Sequence, residues 1–160
     1  MTQILTYDRN EVVSYAEEWA FARNPEYFDF EDFGGDCTNF ASQCIFAGSK
    51  VMNYTRDYGW YYVSSYDRAP SWTSVELLFR FLTRNTGSGP FATEQPLKTA
   101  ALGDIIQLSF DGAAFSHSLV VVNTRPNIAV ACHTMDSLGR QLSSYTYNIA
   151  RLLHIEGVRG

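Results

Sequence analysis

Apolar residues recur at helical spacing in the first half of the chain and form alternating or β-branched runs in the second half. The spacing predicts helices over about residues 9–22, from 37 to a stop at Gly48, and from Ser71 or Thr73 through Leu82. The middle helix has the clearest apolar face, at positions i, i+3, i+4, i+7 and i+8. This face consists of Cys37, Phe40, Ala41, Cys44 and Ile45.

Strands are predicted over residues 105–110, 118–123 and 128–133, with weaker ones over 142–147 and 152–158. Helices followed by an antiparallel sheet indicate an α+β domain. The turn 124–127 joins the second and third strands. If this turn centres between Arg125 and Pro126, paired residues have numbers that sum to about 251. His117 would then face His133 or Thr134.

Length and composition narrow the functional class. The 160 residues are 46% hydrophobic, which predicts one globular domain over 1–160 with a core of its own. The net charge of −5, with Lys50 and Lys98 as the only lysines, argues against nucleic-acid binding. No apolar run is long enough for a transmembrane helix. The segment 1–10 is polar and has no apolar core, so it is not expected to be a secretory signal.

The three cysteines form neither a disulfide framework nor a CxxC metal pair, and one has a special position. In GGDCTNF, residues 34–40, Cys37 falls in the first turn of a helix after a glycine turn. Free N–H groups and partial positive charge at a helix N-terminus stabilise a thiolate and could also hold an oxyanion. Asp36 is either the N-cap of this helix or a contact for a substrate amine. Cys44 and Cys132 are expected to be core residues.

A cysteine nucleophile needs a base within hydrogen-bonding reach. His117 is the candidate, because it lies where a loop enters an apolar strand. The hairpin register places His133 where it could bond one nitrogen of His117 and fix its tautomer. His154 is expected to be structural. Trp72 is either a core residue or a substrate contact.

These segments carry a family resemblance. GGDCTNFASQCIFAG, SWTSVELLFRFL, FSHSLVVV and the CHT segment resemble the bacterial putative amidase domain family, among the papain-like, NlpC-like cysteine peptidases and amidases. The resemblance runs from Tyr7 to about Ile155. It implies a papain-like α+β fold with the cysteine helix packed on an antiparallel sheet that bears the histidine. It also implies that His133 is the third polar residue and that Tyr27 lies near the oxyanion.

The predicted function is hydrolysis of an amide or peptide bond by Cys37, with His117 as base, His133 as its orienting group and no cofactor or metal. The resemblance implies a peptidoglycan peptide or a small N-acyl compound as substrate, and a location at the cell wall. Two other classes stay open: a catalytically silent module that binds wall peptides, and an acyltransferase.

Overall fold

The computed structural model describes residues 3–160. Three α-helices are present: α1 (Arg9–Trp19), α2 (Cys37–Ser49) and α3 (Val75–Arg84). Nine strands are present: β1 (Ile4–Leu5), β2 (Tyr62–Ser64), β3 (Asp67–Arg68), β4 (Gly89–Gln95), β5 (Ile105–Ser109), β6 (His117–Asn123), β7 (Ala129–Cys132), β8 (Ser137–Gln141) and β9 (Ile149–Arg159). Short 3-10 turns occupy Pro70–Trp72, Leu97–Thr99 and Leu142–Ser144.

Side-chain caps fix the starts of two helices. The carboxylate of Asp8 accepts the Glu11 N–H at 3.1 Å ahead of α1, and the Ser74 hydroxyl accepts the Leu77 N–H ahead of α3. The third helix therefore starts slightly later than its sequence pattern predicts. Helix α2 continues past the predicted stop at Gly48, ends at Ser49 and is followed by Lys50, whose φ is +59°.

Gly48 serves a different purpose from the predicted helix stop. A Cβ at this position would lie 2.4 Å from Cγ2 of Val12 on α1. The glycine thus lets the two helices approach closely. Glycine is needed at this position for helix packing and not to end the helix.

The large sheet is antiparallel and has seven strands in the order β1-β9-β5-β6-β7-β8, with β4 paired to β9. The long strand β9 pairs with β5 through its first half and with β4 through its second half. A separate hairpin consists of β2 and β3. Three helices and a large antiparallel sheet confirm the α+β prediction. The predicted hairpin register is also correct, because Val120 pairs with Ala131 and Val121 with Val130.

Residue alternation gives the sheet two apolar faces. One face packs on α1, α2 and α3, and α2 is its centre, with Phe40, Cys44 and Ile45 all fully buried. The other face is covered by the chain around Leu142. This segment is a 3-10 turn and not the predicted strand over 142–147, because the Leu142 N–H turns back to the Ile128 carbonyl and its side chain plugs the second face.

Three further features complete the fold. The pattern missed β4 and β8, which carry Pro90 and Gly139 in place of regular alternation. The ion pair of Arg9 with Asp104, at 2.8 Å, joins α1 to the entrance of β5. Within residues 3–160, no helix is both long and apolar enough to cross a membrane.

Candidate functional site

Cys37 is the first residue of α2 and is 8% exposed. Gly34 and Gly35 precede it, and both have a φ of +98°, a conformation that side chains with a Cβ rarely adopt. A Cβ on Gly35 would also lie 3.1 Å from the Thr134 hydroxyl oxygen. The predicted glycine turn before the cysteine is therefore present, and it brings the chain close to Thr134.

His117 is the first residue of β6 and is also 8% exposed. Its ring lies between aromatic neighbours, with centroids 6.4 Å from Phe110 and 6.1 Å from Tyr145. Burial, together with the positive charge of Arg140, lowers the pKa of His117 to about 4. The imidazole is therefore neutral near pH 7. Within residues 3–160, its ring nitrogens make no hydrogen bond.

Ser118 connects these two residues. Its hydroxyl lies 3.0 Å from Oγ1 of Thr38, the second residue of α2. Its backbone N–H is hydrogen-bonded to the Cys37 sulfur and lowers the pKa of the thiol. Since Ser118 follows His117 directly, the start of α2 contacts the chain next to His117.

The ionisation of Cys37 differs from the thiolate that its helix position predicts. Burial raises the pKa of the thiol, and the nearby Asp36 carboxylate raises it as well. Hydrogen bonds from the Ser118 backbone and from the hydroxyl and backbone of Thr38 lower the pKa but only partly offset the burial. The Cys37 thiol and the His117 imidazole are therefore both uncharged near pH 7.

His133 does not have the predicted contact with His117. Its Nδ1 lies 2.5 Å from Oδ2 of Asp36, and its Nε2 lies 2.8 Å from the carbonyl oxygen of Trp19. A carbonyl only accepts, so Nε2 carries a proton, and neither ring nitrogen is free for His117. Strand β7 ends at Cys132, and the chain turns away at Thr134, whose φ is +66°. The orienting role is therefore wrong for both His133 and Thr134 in this structure.

Asp36 lies at the N-cap position of α2, as predicted, but its side chain makes no capping hydrogen bond. The side chain is fully buried, which does not favour a contact with a substrate amine. Besides bonding to His133, its carboxylate accepts the Phe30 N–H and the Asn39 side-chain amide, both at 2.8 Å. Arg23 lies 3.7 Å from the same carboxylate. Asp36 is thus the anchor that holds the loop before the cysteine.

Tyr27 and Trp72 belong to an aromatic cluster behind α2. Trp72 is fully buried and donates from Nε1 to the Asn39 side-chain oxygen at 2.9 Å, so it is a core residue and not a substrate contact. Tyr27 stacks on it with centroids 6.0 Å apart. Burial raises the pKa of Tyr27 to about 12. The contacts described for Tyr27 are with these rings and not with Cys37, which does not favour an oxyanion role.

The remaining expected core residues are correctly predicted. Cys44 and Cys132 are both fully buried, on opposite faces of the sheet. His154 bonds to Asp104 at 2.8 Å, which is a structural role. In the part of the chain that is described, no group of three or more His, Cys, Asp or Glu side chains could hold a metal ion.

The sequence pattern missed a group of buried polar residues behind Cys37. Gln107 on β5 and Arg151 on β9 lie beside Ser118 on the helix-facing side of the sheet. They could have been recognised in the sequence, because each is a single polar residue within an apolar strand, at a position that faces the core. Two surface cavities, of about 480 and 590 Å³, lie elsewhere and are not lined by Cys37 or His117.

Comparison with known proteins places the chain in a family. Residues 6–155 match a family described as putative amidase domain. The chain belongs to this family. It is also 34% identical, over 119 residues, to a protein of Bacillus subtilis (strain 168) described as uncharacterized protein YhbB. That alignment covers 72% of this chain but 37% of the relative, so the chain spans little more than a third of that protein. No solved structure matches the chain.

The match extends over both the α2 segment with Cys37 and the β6 segment with His117. It supports an amidase-like domain and therefore hydrolytic activity in general. The family description names neither a nucleophile nor a substrate.

Proposed function

We propose that this amidase-like domain hydrolyses amide bonds with Cys37 as nucleophile and His117 as general base, on a papain-like arrangement of helix and sheet. The observation that carries the proposal is the position of Ser118. It follows His117 in the chain, its hydroxyl lies 3.0 Å from Oγ1 of Thr38, and its backbone lowers the pKa of the Cys37 thiol, which supports a location of thiol and imidazole at the same end of β6. A nucleophile at a helix start beside a base on a rigid strand is the arrangement that acyl transfer needs.

The reaction begins from neutral partners. His117 takes the thiol proton as the Cys37 sulfur attacks the carbonyl carbon of the substrate. Because the pKa of His117 is lowered to about 4, its lone pair is free for this step at neutral pH. The negative charge moves to the carbonyl oxygen, where the backbone N–H of Cys37 at the start of α2 stabilises it.

The intermediate then collapses. The C–N bond breaks, the imidazolium of His117 gives its proton to the leaving amine, and a thioester remains on Cys37. Water attacks the thioester while His117 accepts its proton, which releases the acid and restores the thiol. If an amine took the place of water, the same intermediate would give acyl transfer.

The proposed substrates are cell-wall peptides or small N-acyl compounds, on the basis of the family resemblance. A screen with peptidoglycan fragments and N-acyl amino-acid amides, followed by mass spectrometry, tests the assignment. We expect a new acid and amine product with the wild-type protein and none with Cys37→Ala. Cys44→Ala, two turns further along the same helix, is the matched control and should retain turnover. Turnover that survives Cys37→Ala would contradict the proposal.

A second candidate is a binding module that holds a peptide without cleaving it. It is favoured by the raised pKa of the Cys37 thiol and by the lack of a hydrogen-bonding partner for the His117 ring within residues 3–160. This alternative predicts that peptidoglycan fragments bind equally to the wild type and to Cys37→Ala and are recovered intact. Catalytic geometry often tightens only when substrate binds, so the hydrolytic assignment is preferred.

A further inference from the structure

Four buried polar side chains form a row that runs from β9 to the start of α2. Arg151 and Ser118 are each the direct cross-strand partner of Gln107 on β5, and Thr38 on α2 follows at the end. Each is at most 9% exposed. An unbroken polar row through the helix-facing side of a sheet is costly to bury unless all of its members are satisfied.

Arg151 fixes the direction of the hydrogen bonds in the row. Its guanidinium can only donate, and it reaches the Gln107 side-chain oxygen from Nε at 2.9 Å and from a terminal nitrogen at 2.7 Å. Glu76 accepts from the same guanidinium at 2.9 Å. The rings of Phe79 and Phe115 both pack against it, with centroids 3.6 and 3.9 Å from its central carbon. The guanidinium is thus held in one place.

The amide nitrogen of Gln107 must therefore point the other way, as a donor. It donates to the Val75 carbonyl at 2.9 Å and to the Ser118 hydroxyl oxygen at 3.2 Å. Ser118 already accepts from Gln107, and its own proton has one described acceptor, Oγ1 of Thr38 at 3.0 Å. Thr38 accepts that proton and is left with its own O–H to donate. The described acceptor for it is the Cys37 sulfur, 3.8 Å away.

We propose that Gln107 and Arg151 are positioning residues that turn the Thr38 hydroxyl toward the Cys37 sulfur as a hydrogen-bond donor. The row thereby supplies a third donor to the sulfur, beside the backbone N–H groups of Ser118 and Thr38, and favours the thiolate as its proton leaves. This inference deepens the proposed function, since a stabilised thiolate matters most if Cys37 is the nucleophile.

Other charged and titratable groups lie around the starts of α2 and β6 and must be held constant in any test. Asp36 precedes α2, His117 begins β6, and Cys132 lies on β7. Arg140 on β8 acts on both His117 and Cys132. None of them is altered in the variants below.

The test measures the apparent pKa of the Cys37 thiol from the pH dependence of iodoacetamide labelling, read at the Cys37 peptide by mass spectrometry. Thr38→Val removes the donor at nearly constant volume and should raise the pKa of the Cys37 thiol by about one unit. Labelling at a fixed pH below that pKa should then be about tenfold slower. Thr38→Ser keeps the hydroxyl and should label like the wild type. Ser42→Ala removes another buried hydroxyl of α2, one bonded to Trp60 and Trp72, and should leave the pKa unchanged.

Gln107→Glu tests the direction of the row. A carboxylate only accepts, so Ser118 would donate to residue 107 and Thr38 would donate to Ser118, leaving the sulfur without its third donor. The pKa should rise, and it should rise no further when Gln107→Glu is added to Thr38→Val. A wild-type pKa in Thr38→Val, or a full additional rise in the double variant, would overturn the inference. Labelling needs no turnover, so this result is independent of whether the protein proves to be a hydrolase.

Discussion

Asp36 and His133 form a fully buried pair, with Oδ2 of the carboxylate 2.5 Å from Nδ1 of the imidazole. The pair joins the residue before Cys37 to the chain that leaves β7. The other ring nitrogen binds the Trp19 carbonyl at the end of α1, and the ring stacks on Phe40 of α2 at 4.0 Å. One histidine thus fastens three parts of the fold around the start of α2.

Removing one partner of this pair should be strongly destabilising. His133→Ala leaves the Asp36 carboxylate buried with no imidazole, and the expected loss in the free energy of unfolding is about 3–5 kcal/mol. Urea denaturation monitored by circular dichroism measures it. His154→Ala is the matched control, because Asp104 keeps its ion pair with Arg9, and its loss should be clearly smaller. An equal loss in both variants would contradict the anchoring role of His133.

The two glycines before Cys37 offer a second matched comparison. Both have a φ of +98°, so alanine at either position should cost about 1–2 kcal/mol of stability from backbone strain. At Gly34 the added Cβ has no neighbour within 4 Å, whereas at Gly35 it lies 3.1 Å from the Thr134 hydroxyl that accepts the Asp36 N–H. Gly35→Ala should therefore lose more stability than Gly34→Ala in the same urea titration. Equal losses would mean that the contact with Thr134 is unimportant.

The lowered pKa of His117 predicts how activity changes with pH. The base is neutral and competent above its pKa, so kcat/KM should fall on the acid side near pH 4 rather than near the usual histidine value of about 6.5. A pH–rate profile with a substrate found by the screen measures this limb. An acid limb near pH 6.5 would show that His117 is solvated in the active form or is not the base.

The same pKa predicts a pH dependence of stability. The unfolded chain takes up a proton on His117 below about pH 6.5, while the folded protein resists it until about pH 4. Burial of His117 therefore lowers the stability of the fold progressively as the pH decreases from about 6.5 to about 4, and has no such effect above that range. His117→Leu removes the titrating group, so it should lose less stability than the wild type between pH 7 and 4.5 in urea denaturation. Parallel losses would contradict the buried, neutral state of His117.

The sequence pattern predicts the helices and central strands well because their apolar residues are periodic. The register of the β6–β7 hairpin could also be predicted from its turn. The position of Cys37 at the start of a helix could be predicted from the glycines before it. The role of His133 could not be predicted in this way. The predicted register would extend the pairing of β6 with β7 as far as residue 134. The pairing stops before that residue, because the chain turns at Thr134 with a positive φ and His133 is directed toward Asp36.

Other misses have the same origin in tertiary contacts. Asp36 occupies the predicted N-cap position, yet its buried carboxylate accepts from Phe30 and Asn39 and does not cap the helix. Gly48 has the features of a helix stop, yet it is a packing position against Val12. Local patterns predict which residues are special, whereas the partner that each residue bonds depends on chain segments far away in sequence.

The central claim is that Cys37 is an acyl-accepting nucleophile activated by His117, and acylation by 4-nitrophenyl acetate tests it most directly. The protein is quenched in acid after brief exposure at pH 7, and the acetyl group is located by peptide mass spectrometry. The account predicts a thioester on Cys37, none on the fully buried Cys44 and Cys132, and at least tenfold slower formation in His117→Ala. Absence of the thioester, or equal rates with and without His117, would contradict the account.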